Sequence, residues 1–272
     1  MKKLKYLLAA LAASFVTVLP LAVGCANDKD EKQEQQIVQN TPEIQAPQDE
    51  PQVEPEEQNK AKTVSYFTVT TNGVNIRSGA GTGYSVRGQA EKLTLYSFSE
   101  KSGEWYKTGY RNKAGYISSK YCTLVNMPSS GNEIIEAVIE EGCKLLGTPY
   151  VYGAVRLHDG KGNFYKSFTT DEFDCSSLMQ YIFYKGAGKL LDVNTRTQVY
   201  QGTTVTRAQL KRGDLMFFTN ASRKNNKGVE RIGHVALYLG DNYILHTASD
   251  YAKIEQSSST RWSYFIKVQR II

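Results

Sequence analysis

Residues 26–62 contain no aromatic residue, four of the seven prolines, and ten acidic residues against four lysines. A run of this kind cannot bury enough apolar surface to offset the entropy of ordering it, so it reads as a disordered acidic, proline-rich tether. The foldable part of the chain is therefore confined to residues 63–272, room for about two small domains. Overall, 40% hydrophobic and 22% charged residues exclude wholesale disorder, while 22 glycines and 18 tyrosines favour a protein rich in strands and turns. The net charge of +6 is uneven: Lys2, Lys3 and Lys5 contribute +3 and the tether −6, leaving +9 on residues 63–272. A basic body on an acidic stalk suits contact with a polyanion such as cell-wall polymer, but the same charge is equally compatible with simple solubility.

Residues 6–19 form a charge-free, mostly apolar run behind the three lysines. At about 14 residues it is short for a membrane span, which needs about 20. Pro20 is followed by LAVGC, with Cys25 after the small Gly24. This pattern resembles a bacterial lipoprotein signal, with Ala22 a mild departure from the more usual Leu. The resemblance implies that residues 1–24 are removed and that Cys25 becomes the lipidated N-terminus. Several acyl chains would then hold the protein at a membrane. Residues 25–62 become the lipidated cysteine and its tether. The location implied is the cell envelope, on the outer side of the cytoplasmic membrane or in the outer membrane.

Residues 63–126 are short apolar runs broken by turn signals. SYFTVT and LTLYSFS alternate as half-buried strands do, and Asn72-Gly73 and other glycines punctuate them. The pattern predicts a small all-β barrel, and VNIRSGAGTGYSV, EWYKT and GYISSKY resemble a bacterial SH3 domain. The connection NMPS to the next region is short, which predicts that the barrel packs against that region and forms one wall of its cleft. A helix opens residues 127–272. Ser130 and Glu133 have capping-box spacing, Ile135, Ile139, Cys143 and Leu146 recur on one face, and Gly147 and Pro149 stop it.

The cysteines separate by context. Cys143 falls on the helix's apolar stripe and reads as a buried thiol, and Cys122 ends the barrel. A disulfide between them is permitted in an exported protein but has little support. No Cys or His spacing matches a zinc site, so neither a metal nor a cofactor is expected. Cys175, in DEFDCSSLMQYIFYKG, falls in the first turn of a helix that Asp174 or Asp171 caps and Gly186 can end. Unpaired N–H groups and the dipole there lower a thiol's pKa, while Asp174 opposes this. HVALYL and YILHT read as a hairpin around Gly240-Asp241-Asn242. If Leu239 faces Tyr243, then His246 lies opposite Ala236 and shares a sheet face with His234, as its diagonal neighbour. One imidazole can then act as base on Cys175 and the other orient it. His158, the third histidine, reads as a surface loop residue.

The pieces GTPYVYGA (147–154), FDCSS (173–177), RTQVYQG (196–202), RGDLMFF (212–218) and GHVALYLG (233–240), with His246 beyond, resemble the NlpC-type cell-wall cysteine endopeptidases. The fold class implied is α+β. A small SH3-like barrel (63–126) would precede a papain-like domain (127–272) with an antiparallel sheet and the catalytic cysteine at a helix N-terminus. The resemblance implies Cys175 as nucleophile, His234 as base and His246 as the group that holds the base's tautomer. It further implies Tyr150, Asp174 and Ser176 as substrate-binding residues. Asp214 is read as holding a turn. The implied activity is hydrolysis of peptidoglycan stem peptides, at the bond between the γ-carboxyl of D-glutamate and the following diamino acid. The partners are then the stem peptides and a membrane, with no nucleic acid, and the protein is monomeric. A wall-binding lipoprotein with an inactive domain, or an amidase or acyltransferase on the same scaffold, are the alternatives. Ser177 stands where the family usually has Gly, Tyr152 where Trp is commoner, and residues 155–172 form a longer insertion that could border the cleft.

Overall fold

The computed structural model describes residues 62–248 and 250–272. Residues 1–24, Cys25 and nearly all of the tether lie outside the described residues.

The barrel is built from β1 (Thr63–Val69), β2 (Val74–Arg77), β3 (Val86–Ala90), β4 (Leu95–Ser97), β5 (Glu100–Ser102), β6 (Trp105–Tyr110), β7 (Lys113–Ser118) and β8 (Cys122–Pro128). Alternation places Phe67, Val69, Ile76, Leu95 and Ile117 inside. Phe67 stacks on Tyr96 at 5.8 Å between ring centres and meets Tyr106 at 5.3 Å. β8 pairs with β1 from Cys122 to Pro128, so the strand runs through the expected boundary at residue 126.

The second region contributes α1 (Glu133–Lys144), α2 (Cys175–Ala187), α3 (Thr195–Gln198), β9 (Thr203–Val205), β10 (Leu215–Phe218), β11 (His234–Gly240), β12 (Tyr243–Ala248), β13 (Tyr251–Gln256), α4 (Ser259–Ser263) and β14 (Phe265–Arg270). The expected capping box at Ser130 is not formed. Asn132 caps α1 instead, accepting from the Ile134 and Ile135 amides, and Ser130 donates its own amide to Glu136 Oε1 at 2.7 Å. Val138, Ile139 and Cys143 form the buried face. α2 runs past Gly186 to a C-cap at Gly188, whose φ of 63° suits glycine. Gly186 instead governs packing. A Cβ there would lie 2.5 Å from the backbone of Val138, so its small size sets how closely α1 and α2 approach.

Nine strands form one sheet in the order β8-β1-β4-β13-β12-β11-β10-β14-β9, and five form a second, β3-β2-β7-β6-β5. The pairings between these strands are antiparallel throughout. The larger sheet crosses from barrel to second region at the Leu95–Ile254 bridge. Further joints reinforce it. The Arg111 and Asn112 amides donate to the carbonyls of Leu146 and Lys144 at 2.9 and 2.7 Å. Gly109 lies so close to α1 that an added Cβ would be 2.6 Å from Lys144 Cα. Buried Arg212 donates to Glu136, to the Leu239 carbonyl and to the Tyr66 hydroxyl, tying helix, sheet and barrel together. The barrel thus packs against its neighbour, as the short connection predicts.

Candidate active site

Asp174 caps α2 through its side chain, in a reciprocal capping box with Ser177, and this places Cys175 at the first helical position. α2 packs across β11 and β12. The hairpin between those strands turns at Asp241 and Asn242, both with positive φ (47° and 65°), and Gly240 rather than Leu239 faces Tyr243. The extra residue is absorbed as a bulge near the turn. Beyond it, Leu237 faces Leu245, the register that sets Ala236 opposite His246. The shared face follows: His234 Nε2 lies 2.9 Å from His246 Nδ1, with the rings at 78° to each other.

Cys175, His234 and Tyr150 line one cavity of about 390 Å³, closed further by Phe218, Asn220, Arg261 and Tyr264. All of its lining residues come from the second region, so the barrel does not line this cavity as expected; its contacts include α1, the segment after it, Thr170 of the insertion, Arg212 and β13. Because His234 Nε2 is engaged by His246, Nδ1 is the ring nitrogen left for the thiol. The backbone N–H groups of Val235 and Ser176 favour the thiolate, but burial first, and then the charge of Asp174, push the Cys175 thiol up to about 12. The expected lowering by the helix N-terminus is therefore outweighed. Burial, the neighbouring His246 and Arg261 hold His234 well below the ordinary histidine value. Both shifts favour the neutral thiol and the neutral imidazole.

Asp174 and Ser176 are buried and do not line the cavity. Asp174 Oδ2 accepts from Arg156 Nη2 at 2.8 Å and from the Gly153 amide, while Oδ1 accepts from Ser176 Oγ and the Ser177 amide. Arg156 also donates to the carbonyls of Ala154 and Val193, so the insertion is clamped to the start of α2. His158 is fully buried rather than on the surface. Its ring meets Phe164 and Tyr184, and its backbone is held by the Gln180 side chain, because the insertion folds inward over α2. Asp214 accepts from the Lys211 amide and from Arg270, holding a turn. Cys122, Cys143 and Cys175 are all free, with Cys143 buried and Cys122 half-buried.

One residue near the site is not foreseen from the sequence. Glu255 Oε1 lies 3.0 Å from His246 Nε2 and accepts from Arg261 Nη2 at 3.0 Å. Burial works to raise its pKa, but the His246 hydrogen bond and the charges of His246, Arg261 and Lys253 bring it down to about 2. Burial outweighs Glu255 at His246, whose pKa is lowered. The alternation in YAKIEQ was the available signal: with β13 read as the strand after β12, Glu255 becomes a diagonal neighbour of His246.

A cysteine at a helix N-terminus shares a cavity with a buried histidine on an antiparallel sheet, and a second ring stands behind that histidine, the layout of a papain-like thiol site. The NlpC/P60 family model matches residues 147–270, and the bacterial SH3 domain model matches residues 72–123. It is 34% identical over 116 residues to the peptidoglycan endopeptidase RipA of Mycolicibacterium smegmatis, covering 42% of this chain and 21% of that one. It is 32% identical over 129 residues to the gamma-D-glutamyl-L-lysine dipeptidyl-peptidase of Bacillus subtilis, covering 47% and 37%. The solved structure of the peptidoglycan hydrolase RipB of Mycobacterium tuberculosis is 30% identical, covers 51% of this chain and 65% of that one, and has a TM-score of 0.40. The chain thus spans well under half the length of these two curated relatives.

Proposed function

We propose that this protein is a cysteine endopeptidase that cuts peptidoglycan stem peptides between the γ-carboxyl of D-glutamate and the next diamino acid. The observation that carries the reading is the Cys175 thiol sharing one cavity with His234, whose far nitrogen is engaged by His246 at 2.9 Å. The named activities of the relatives, and the γ-D-glutamyl bond in the name of one, support the choice of substrate.

In the proposed cycle His234 Nδ1 takes the thiol proton as sulfur attacks the carbonyl carbon. The oxyanion is met by the backbone N–H at the start of α2 and by Tyr150. The C–N bond then breaks, the imidazolium gives its proton to the leaving amine, and a thioester remains. Water loses a proton to His234 and attacks the thioester. The acid leaves, and the imidazolium returns its proton to sulfur. Burial favours the neutral pair, so in this cycle proton transfer accompanies attack. Tyr150 touches the substrate in this cycle. Asp174 and Ser176 act through the loop they hold, together with any substrate group that reaches them.

The protein acts as a monomer in the cell envelope. Cys25 carries the lipid, residues 26–62 span the distance to the wall, and residues 63–126 form the barrel domain beside the peptidase domain at 127–272. Incubation with purified peptidoglycan tests the activity: the protein should release new amine groups, and Cys175→Ala and His234→Gln should release none. Equal release by Cys175→Ala would overturn the proposal. Cys25→Ser should leave an uncleaved precursor, and a processed, water-soluble product from that variant would contradict the anchor.

A further inference from the structure

We infer that Glu255 is a positioning residue that fixes the tautomer of both histidines, so that His234 presents an unprotonated Nδ1 to the thiol. The inference rests on the thiol mechanism proposed above and adds a fourth group to it.

The hydrogen positions follow from one end of the chain of contacts. A carboxylate only accepts, so the 3.0 Å contact with Glu255 Oε1 requires the hydrogen on His246 Nε2. Buried His246 favours its neutral form, so its Nδ1 then carries a lone pair. At 2.9 Å from that lone pair, His234 Nε2 must be the donor. A neutral His234 with its hydrogen on Nε2 has none on Nδ1, which is the nitrogen left for Cys175. Each ring's tautomer is set by the hydrogen bond of its other nitrogen. Without the carboxylate the opposite arrangement is equally open: His246 donates from Nδ1, His234 accepts at Nε2, and an N–H faces the thiol, where it cannot act as a base.

Glu255 is itself held. Arg261 of α4 donates to the same oxygen, and Lys253 of β13 adds charge from the strand. The groups facing the carboxylate are thus His246 on β12, Arg261 on α4 and Lys253 on β13, with His234 on β11 one ring further. When the S–H bond breaks and Nδ1–H forms, the positive charge on His234 is separated from the carboxylate by one neutral ring. No proton needs to reach Glu255.

Glu255→Gln and Glu255→Leu separate this role from a merely structural one. A glutamine oxygen at the same place still accepts from both Arg261 and His246, so the tautomer is kept while the charge is lost. Leucine removes both bonds. At saturating substrate, Glu255→Leu should lower kcat by roughly 100-fold with KM little changed, and Glu255→Gln should recover most of that loss. The direct readout is nitrogen NMR of labelled histidines at neutral pH. His234 Nδ1 should be unprotonated in the native protein and in Glu255→Gln, and should gain a hydrogen in Glu255→Leu. A hydrogen on His234 Nδ1 in the native protein overturns the inference whether or not the leucine variant folds, as does an unchanged kcat in a folded Glu255→Leu. The NMR readout needs no turnover. A failure of the peptidase proposal, seen as activity retained by Cys175→Ala, is therefore distinguishable from a failure of this one.

Discussion

Two residues of the same type meet opposite fates in this chain. Burial pushes both thiols up to about 12, but Cys143 lies on the packed face of α1, whereas Cys175 opens α2 in a cavity shared with His234. Cys143→Ala should therefore leave turnover intact and cost about 1 kcal/mol of stability, measurable as a lower denaturation midpoint. Lost turnover in a folded Cys143→Ala would show that the two roles are misassigned. The histidines give a pH prediction. Both are buried with lowered pKa, so the unfolded chain, with histidines near 6.5, binds their protons more readily. The stability tied to the neutral pair is complete above about pH 6.5 and is lost as pH falls below it. Glu136 and Glu255, each held near 2, add a loss that sets in only below about pH 4.5. The melting temperature should drop between pH 7 and pH 5, and His246→Gln should shrink the drop. A flat profile in the native protein would contradict the assignment. At this scale the motif words made Cys175, His234 and His246 legible. Glu255 and Arg156 were not, because each lies in a segment whose partner strand or loop is known only once the chain is folded.

Helices and strands hold the site through a few close contacts that residue patterns do not announce. α2 could be read from its cap and its apolar spacing. The bulge before the Asp241-Asn242 turn could not, since the same letters allow Leu239 or Gly240 to face Tyr243. The parity of the histidines survived because the bulge, between Tyr238 and Gly240, lies on the turn side of the Leu237–Leu245 pair, while both histidines lie on the other side. Arg212 joins several elements: it is buried and salt-bridged to Glu136 at 2.7 Å. Replacing it with Met leaves the Glu136 carboxylate without its cation and should cost about 3 kcal/mol. Chemical denaturation checks this, and a change below about 0.5 kcal/mol, the range of ordinary surface substitutions, would refute the burial argument. Gly186→Val should be as damaging, since its branches meet the α1 backbone rather than a movable side chain.

For the molecule as a whole, the barrel completes a sheet that the second region begins. The Leu95–Ile254 bridge, the Tyr66–Arg212 bond and the Gly109 contact all place it against α1 and β13. The short connection after β8 made this proximity legible. The walls of the cavity were not, because which face of a barrel turns towards a cleft depends on side-chain fit at its joints. A chain beginning at Ser129 exposes the β13 edge and strips Arg212 of one partner. It should melt at a lower temperature than the full chain and aggregate more readily, by light scattering at matched concentration. Equal stability would show that the joints carry little free energy. The central claim concerns the bond that is cut. Mass analysis of soluble fragments from peptidoglycan digested by the full protein tests it most directly. Fragments ending in the free γ-carboxyl of D-glutamate, paired with others beginning at the diamino acid amine, and absent with Cys175→Ala, are the expected result. Cleavage at any other bond, or the same fragments from Cys175→Ala, would contradict it.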